Sequence, residues 1–151
     1  MEPVEEEAVS YESAYEHFVR TFLHVNHKVF NNLQRKLLRA VLDEDLTEDG
    51  LAGAIDTINK SIRLYEQAGW SPKKVTGDAV QRPQHYDVFP MEPTYFLIEV
   101  AAYRYLPWTI ENFVKYICRY KFKNGVEDLK KSMRNLAMEL RRRQGDPEWS
   151  L

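Results

Sequence analysis

Four polar side chains, Asn112, Lys115, Arg119 and Lys123, follow one another at spacings of three, four and four. On a helix that spacing lines up one amide and three cations along one face over about three turns. Beyond an Asn124-Gly125 break, Asp128, Lys131 and Asn135 repeat the pattern on what reads as the next helix. If the two helices pack antiparallel, the polar rows meet along one edge of their seam. A groove walled by Tyr and Phe and floored by Lys and Arg suits a base stacked beside a phosphate chain. A solvated basic helix face has the same composition, so the row alone does not establish a site.

The remaining chemistry-bearing residues give less. His85, beside Tyr86, is a candidate phosphate donor or general acid, and equally a loop-fixing hydrogen-bond donor. His24 and His27 can reach one metal ion, but no third ligand accompanies them, so a metal site is not expected. Cys118 lacks a base and an orienting partner and reads as a packed residue. As the single cysteine it excludes an internal disulfide. No G-x-x-x-x-G-K-[ST] occurs, which excludes a P-loop kinase, and no nucleophile elbow is present.

Charge is divided along the chain. Residues 1–70 carry 13 acids against 7 Lys or Arg, whereas residues 71–151 carry 10 against 14. The second part is therefore the expected anion binder. Between Glu111 and Arg143 ten bases face four acids, which suits phosphate but is modest for a dedicated duplex-DNA protein. No apolar run is long enough to cross a bilayer, and the acidic start, Met1 to Glu7, does not resemble a secretory signal, so the expected location is the cytoplasm.

The elements that must position these residues read as all-α. With 151 residues and 44% hydrophobic side chains the chain can bury a core. Ser10 is a candidate cap, after which Tyr15, Phe18, Phe22, Val25, Val29, Leu33, Leu37 and Val41 recur every three or four residues and predict one long helix. Thr47 caps a second with its stripe at Leu51, Ile55, Ile58, Ile62 and Tyr65, ending near Gly69. Residues 1–70 thus form a predicted helical hairpin whose stripe must bury against the rest of the chain or a second copy, and a homo-oligomer is expected. Residues 71–92 hold three of the seven prolines and read as a long ordered connector or active-site loop. Residues 93–151 form a three-helix phosphate-binding module: Pro93 to about Tyr105, a helix over 110–123 capped by Thr109, and one from Glu127 to about Arg143, where three arginines favour the helix dipole. The tail after it is predicted to fray.

Pro83-Gln84-His85-Tyr86, Ile98-Glu99-Val100, Asn112 to Arg119, Lys123-Asn124-Gly125 and Glu127 to Lys131 occur in an order that resembles a phage-encoded domain family. Its pattern is P-x-H-Y, I-E, G-N-x-x-K-Y-x-x-R, K-N-G and D-L-x-K, and the similarity covers about residues 82 to 140. The family is largely of unknown function, and one member is a bacteriophage nucleoside monophosphate kinase without a P-loop. The resemblance implies transfer of ATP's terminal phosphoryl group to a (deoxy)nucleoside monophosphate in the host cell cytoplasm. Arg119 and Lys115 would be the catalytic grip, and His85, Tyr86, Asn112, Lys123, Asp128 and Lys131 would bind nucleotide. ATP is then the co-substrate, and magnesium would sit on Asp128 or Glu99 through waters. Glu111 stands where the family has glycine, Tyr120 where a small residue is usual, and Arg134-Asn135-Leu136 replaces an aromatic pair. Two other classes fit the same residues: a protein that sequesters a nucleotide or cyclic nucleotide without turnover, and a helical adaptor for a host protein or nucleic acid.

Overall fold

The computed structural model describes residues 12–73 and 88–151, and among these the chain forms six helices and no strand. They are α1 (Ala14–Val25), α2 (Asn32–Val41), α3 (Glu48–Gln67), α4 (Pro93–Val100), α5 (Trp108–Arg119) and α6 (Val126–Arg143). No helix among the described residues is long and apolar enough to cross a membrane. The Ser10 cap lies outside the described residues; Ser13 caps α1, its hydroxyl accepting from the Glu16 N–H at 3.0 Å.

The expected first helix is two helices. Asn31 and Gln34 form a capping box, each side chain accepting the other's backbone N–H at 2.9 Å, so a new helix starts in mid-stripe. Asn26, fully buried, ends the first: its Nδ2 donates to the Met91 carbonyl at 2.8 Å and its Oδ1 accepts from the Met91 N–H at 3.0 Å. A polar clamp 65 residues away in sequence thus overrides a local pattern that runs straight through. The two short helices pack antiparallel, as the Tyr15 hydroxyl donating to the Leu42 carbonyl at 2.7 Å requires.

Thr47 caps α3 as expected, its hydroxyl accepting from the Gly50 N–H at 3.0 Å. The stripe Leu51, Ala54, Ile58 and Ile62 is buried, and α3 lies against α6 and α2. That stripe is satisfied within one chain, so it does not by itself call for a second copy. In the C-terminal part α4 stops at Val100 rather than near Tyr105; the Val100 carbonyl accepts the N–H groups of Tyr103 and Arg104, which closes a turn. Thr109 is not a cap. Helix α5 begins at Trp108, two residues before the expected start, and the buried Thr109 hydroxyl instead donates to Glu139 Oε1 at 2.8 Å. Nor is the tail frayed: Trp149 lies 6.0 Å from the Trp108 ring, and Arg141 Nη2 donates to its carbonyl at 2.9 Å.

One apolar core joins all six helices. Within it a ladder of rings runs from Phe96 through Phe22 (4.0 Å), Phe30 (5.7 Å) and Phe89 (5.8 Å) to Phe122 (6.0 Å). The ladder ties α4 and α1 to the turn between α5 and α6, each aromatic pair adding roughly 0.5–1.5 kcal/mol beyond its buried area. Gly125 closes that turn at φ +58°, and a Cβ there would sit 2.7 Å from Pro72 Cδ. Gly125→Ala should therefore destabilise the fold by about 2 kcal/mol in urea unfolding, through backbone strain and the clash together.

Glu139, with no exposed surface, supports the other end of the seam. Burial alone would raise its carboxyl, but hydrogen bonds from Arg142, Arg143 and Thr109 together outweigh that and hold it below the usual range. A depressed carboxyl contributes stability that is present above its unfolded value and is lost as pH falls through its folded one. Glu139→Gln should accordingly flatten the loss of unfolding free energy between about pH 5 and pH 3, measured by urea melts across that range.

Candidate functional site

Helices α5 and α6 run antiparallel, and their seam is stitched by polar pairs at three levels. Thr109 reaches Glu139, Asn112 Nδ2 donates to Asn135 Oδ1 at 3.5 Å, and Arg119 reaches Asp128. On α6 the buried polar residues Asp128, Ser132, Asn135 and Glu139 recur every three or four positions, a stripe that mirrors the apolar one formed with Leu129 and Leu136. The expected polar rows do meet. They meet inside the seam, however, rather than flooring an open groove.

Arg119 holds the end nearest the turn. Its Nε and Nη2 donate to Asp128 Oδ2 and Oδ1 at 3.3 and 3.2 Å, a two-pronged pair in which Asp128 has no exposed surface and the arginine about a quarter. Asp128 also accepts from the Asn124 N–H at 3.2 Å, which pins the turn to the first turn of α6. The Arg119 guanidinium lies 4.7 Å over the Tyr116 ring, and Lys131 Nζ lies 5.6 Å from the same ring. Two cations from two helices thus converge on one aromatic plate. Lys131 also pairs with Glu127 at 3.4 Å, a surface contact worth under about 1 kcal/mol. Tyr116 carried no role in the sequence reading, although its position three residues before Arg119 on one helix face was the available signal.

Lys115 and Lys123 are exposed and have no partner among the described residues. Glu111 lies in the first turn of α5, one helical turn from Lys115. His85 and Tyr86, with the whole Pro83 to Tyr86 motif, lie outside the described residues. The stems on either side of 74–87 are described, and both end at the α5–α6 turn. Trp70 lies 5.9 Å from the Tyr120 ring, Pro72 packs on Gly125, and Phe89 lies 6.0 Å from Phe122. The Tyr120 hydroxyl, buried beneath, accepts from Asn31 Nδ2 at 2.7 Å and lies 2.8 Å from the Tyr65 hydroxyl. Burial raises the Tyr120 phenol, which stays neutral. Gln34 adds a second brace, its Nε2 donating to the carbonyls of Ile117 and Cys118 at the free end of α5.

The residues do not fit a resident magnesium ion. Both Asp128 oxygens accept from Arg119 and Asn124, Glu99 is exposed on α4, and no group of three or more His, Cys, Asp or Glu among the described residues is placed to hold a metal. His17, His24 and His27 are exposed. Cys118 is buried, and burial pushes its thiol up, away from nucleophile chemistry.

Because Asp128 is buried and Arg119 is its main charge partner, Arg119→Ala should cost about 3 kcal/mol in urea unfolding. Asp128→Asn placed on that background should recover part of the loss, since a neutral amide tolerates burial without a cation; a double variant as unstable as the single one would refute the pair's role.

Against this geometry, residues 80–137 match a family described as a protein of unknown function, DUF3310. The match takes in α4, α5 and most of α6, and leaves α1 to α3 outside it. No curated protein and no solved structure matches the chain. Over its α4–α6 part, the chain is therefore similar to a family that itself has no described function.

Proposed function

We infer that the α5–α6 face binds the phosphates of a nucleotide, and that the protein is a P-loop-independent kinase acting on a (deoxy)nucleoside monophosphate with ATP as co-substrate. The observation that carries the reading is the convergence of Arg119 and Lys131 on Tyr116, flanked by Lys115 and Lys123, which have no partner among the described residues. The resemblance to phage-encoded domains, one of them such a kinase, supplies the reaction class and the setting, the cytoplasm of an infected host cell.

Phosphoryl transfer asks a protein mainly for positioning and for neutralisation of charge on the transferring group. A guanidinium has five N–H donors, and Asp128 takes two of Arg119's, one each from Nε and Nη2. Nη1 and the second Nη2 hydrogen are left for a phosphate oxygen. In this scheme Asp128 is a positioning residue: it fixes the guanidinium before substrate arrives, so little ordering entropy is lost on binding. Lys115 and Lys123 contribute charge at the rim. Trp70 and Phe89 both pack at the α5–α6 turn, at one end of the row.

A second reading, a nucleotide or cyclic-nucleotide binder without turnover, is favoured by one observation. Asp128, the carboxylate beside Arg119, is fully engaged and so is not free to act as a base or metal ligand. The two are separated by a coupled assay with ATP, magnesium and each nucleoside monophosphate in turn. Lys115→Ala is the informative variant, because this residue is exposed and its removal leaves the fold intact, whereas Arg119→Ala disturbs stability. Diphosphate product, with kcat/KM lowered about tenfold or more in Lys115→Ala, is the expected result, one charge-assisted contact being worth roughly 1.5–3 kcal/mol. No product from any acceptor would remove the kinase reading, and thermal-shift retention of a nucleotide would then establish the binder.

A further inference from the structure

A groove of about 1160 Å³ lies away from the α5–α6 face, between α1 and α2. Its charge changes sign along its length. Toward one end it is lined by His24 of α1, His27 of the turn that follows and Arg35, Lys36 and Arg39 of α2, and toward the other by Glu16, Asp43, Glu44 and Asp45; Arg20, also in the lining, is paired with Glu12. Helical spacing explains the division: Arg35, Lys36 and Arg39 fall on one face of α2, and the acids follow where the helix ends.

The cations of the basic half are not neutralised internally. Lys36 and Arg39 are exposed and have no ion-pair or hydrogen-bond partner among the described residues. Arg35 is held rigidly, but by uncharged acceptors: its Nη1 donates to the carbonyls of His27 and Phe30 at 2.7 and 2.6 Å, and its Nη2 to Asn32 Oδ1 at 2.5 Å. Three formal positive charges therefore line one part of the groove without a carboxylate bonded to them among the described residues. Beside them Lys121 donates to the Val29 carbonyl at 2.6 Å, and burial followed by the Arg35 charge lowers its ammonium.

We propose that this basic half is a binding site for a short oligophosphate chain of two to four phosphates, carried by a nucleoside triphosphate or free. Charge sets the class, since three fixed or unpartnered cations match a tri- or tetra-anion. The four acids at the far end set the length, because a long polyanion such as a nucleic-acid strand would be driven into them. No Phe, Tyr or Trp lines the groove, so recognition rests mainly on phosphate. The site stands apart from the α5–α6 row and from the nucleotide reading given to it.

Isothermal titration of the full chain in low salt with inorganic tripolyphosphate, ATP and AMP tests this. Tripolyphosphate and ATP should bind within about threefold of each other, AMP about tenfold or more weaker, and Lys36→Glu with Arg39→Glu should weaken tripolyphosphate by about tenfold or more. Lys36 acetylation, read by mass spectrometry on the wild-type protein, should be blocked by tripolyphosphate, which tests the site without a variant. Lys115→Ala with Lys123→Ala should leave the protection of Lys36 by tripolyphosphate unchanged. Undiminished tripolyphosphate binding in the Lys36 and Arg39 double variant, unprotected Lys36, AMP protecting Lys36 as well as ATP does, or loss of that protection in the Lys115 and Lys123 double variant would each overturn the assignment. None of those outcomes bears on kinase activity at the α5–α6 face.

Discussion

A buried carboxylate at the start of α6 sets the terms for the C-terminal part of this protein. Asp128 has no exposed surface, and a charge so placed is tolerated only where donors converge on it. Arg119 and the Asn124 backbone supply them, and in doing so fix where α5 ends, how the chain turns and where α6 begins. Everything that packs on the turn inherits that geometry: Pro72 on Gly125, Trp70 on Tyr120, and Phe89 on Phe122. The same pair leaves Arg119 partly exposed with donors to spare, so one interaction both closes the fold and presents a cation.

The rest of the α5–α6 seam follows a similar logic. Thr109 with Glu139 and Asn112 with Asn135 place polar contacts between helices that also share Phe113, Ile117, Leu129 and Leu136 as core. Apolar burial supplies most of the driving force, but it is nearly indifferent to a slide of one helix along the other. Directional pairs spaced along the seam are not, and each wrong register would strand a buried donor or acceptor at a cost of about 1–3 kcal/mol. The N-terminal helices brace this unit from behind through Gln34, Asn31 and Asn26, all buried or half-buried amides that reach backbone or hydroxyl groups far along the chain. Those braces explain why α1 to α3, which lie outside the matched family region, are nevertheless part of one core.

The outcome is a protein with two separate cationic surfaces. One is ordered by a carboxylate and an aromatic ring, the other by backbone carbonyls at the α1–α2 corner. In both, a rigidly held arginine sits near exposed lysines that have no partner among the described residues: Lys115 and Lys123 in one, Lys36 in the other.

Much of the fold was legible from residue order alone. The all-α class, the Thr47 cap, the α3 stripe, Pro93 at the start of α4 and the Gly125 break are each encoded within about four residues, the reach of a helical turn or a cap. The spacing of Asn112, Lys115 and Arg119 was equally local, and so was the antiparallel meeting of the polar rows once the break was seen. What local periodicity could not disclose was where each polar side chain finds its partner. The split between α1 and α2 turns on Asn26 meeting Met91, the role of Thr109 on Glu139, and the order of the tail on Trp108 and Arg141. The Asn31 and Gln34 capping box was present in the sequence, but an unbroken apolar stripe masked it. Spacing put Arg119 and Asp128 in a candidate site; only the packed seam made them each other's partner, because a charge is free to bind a ligand only to the extent that the fold has not already satisfied it.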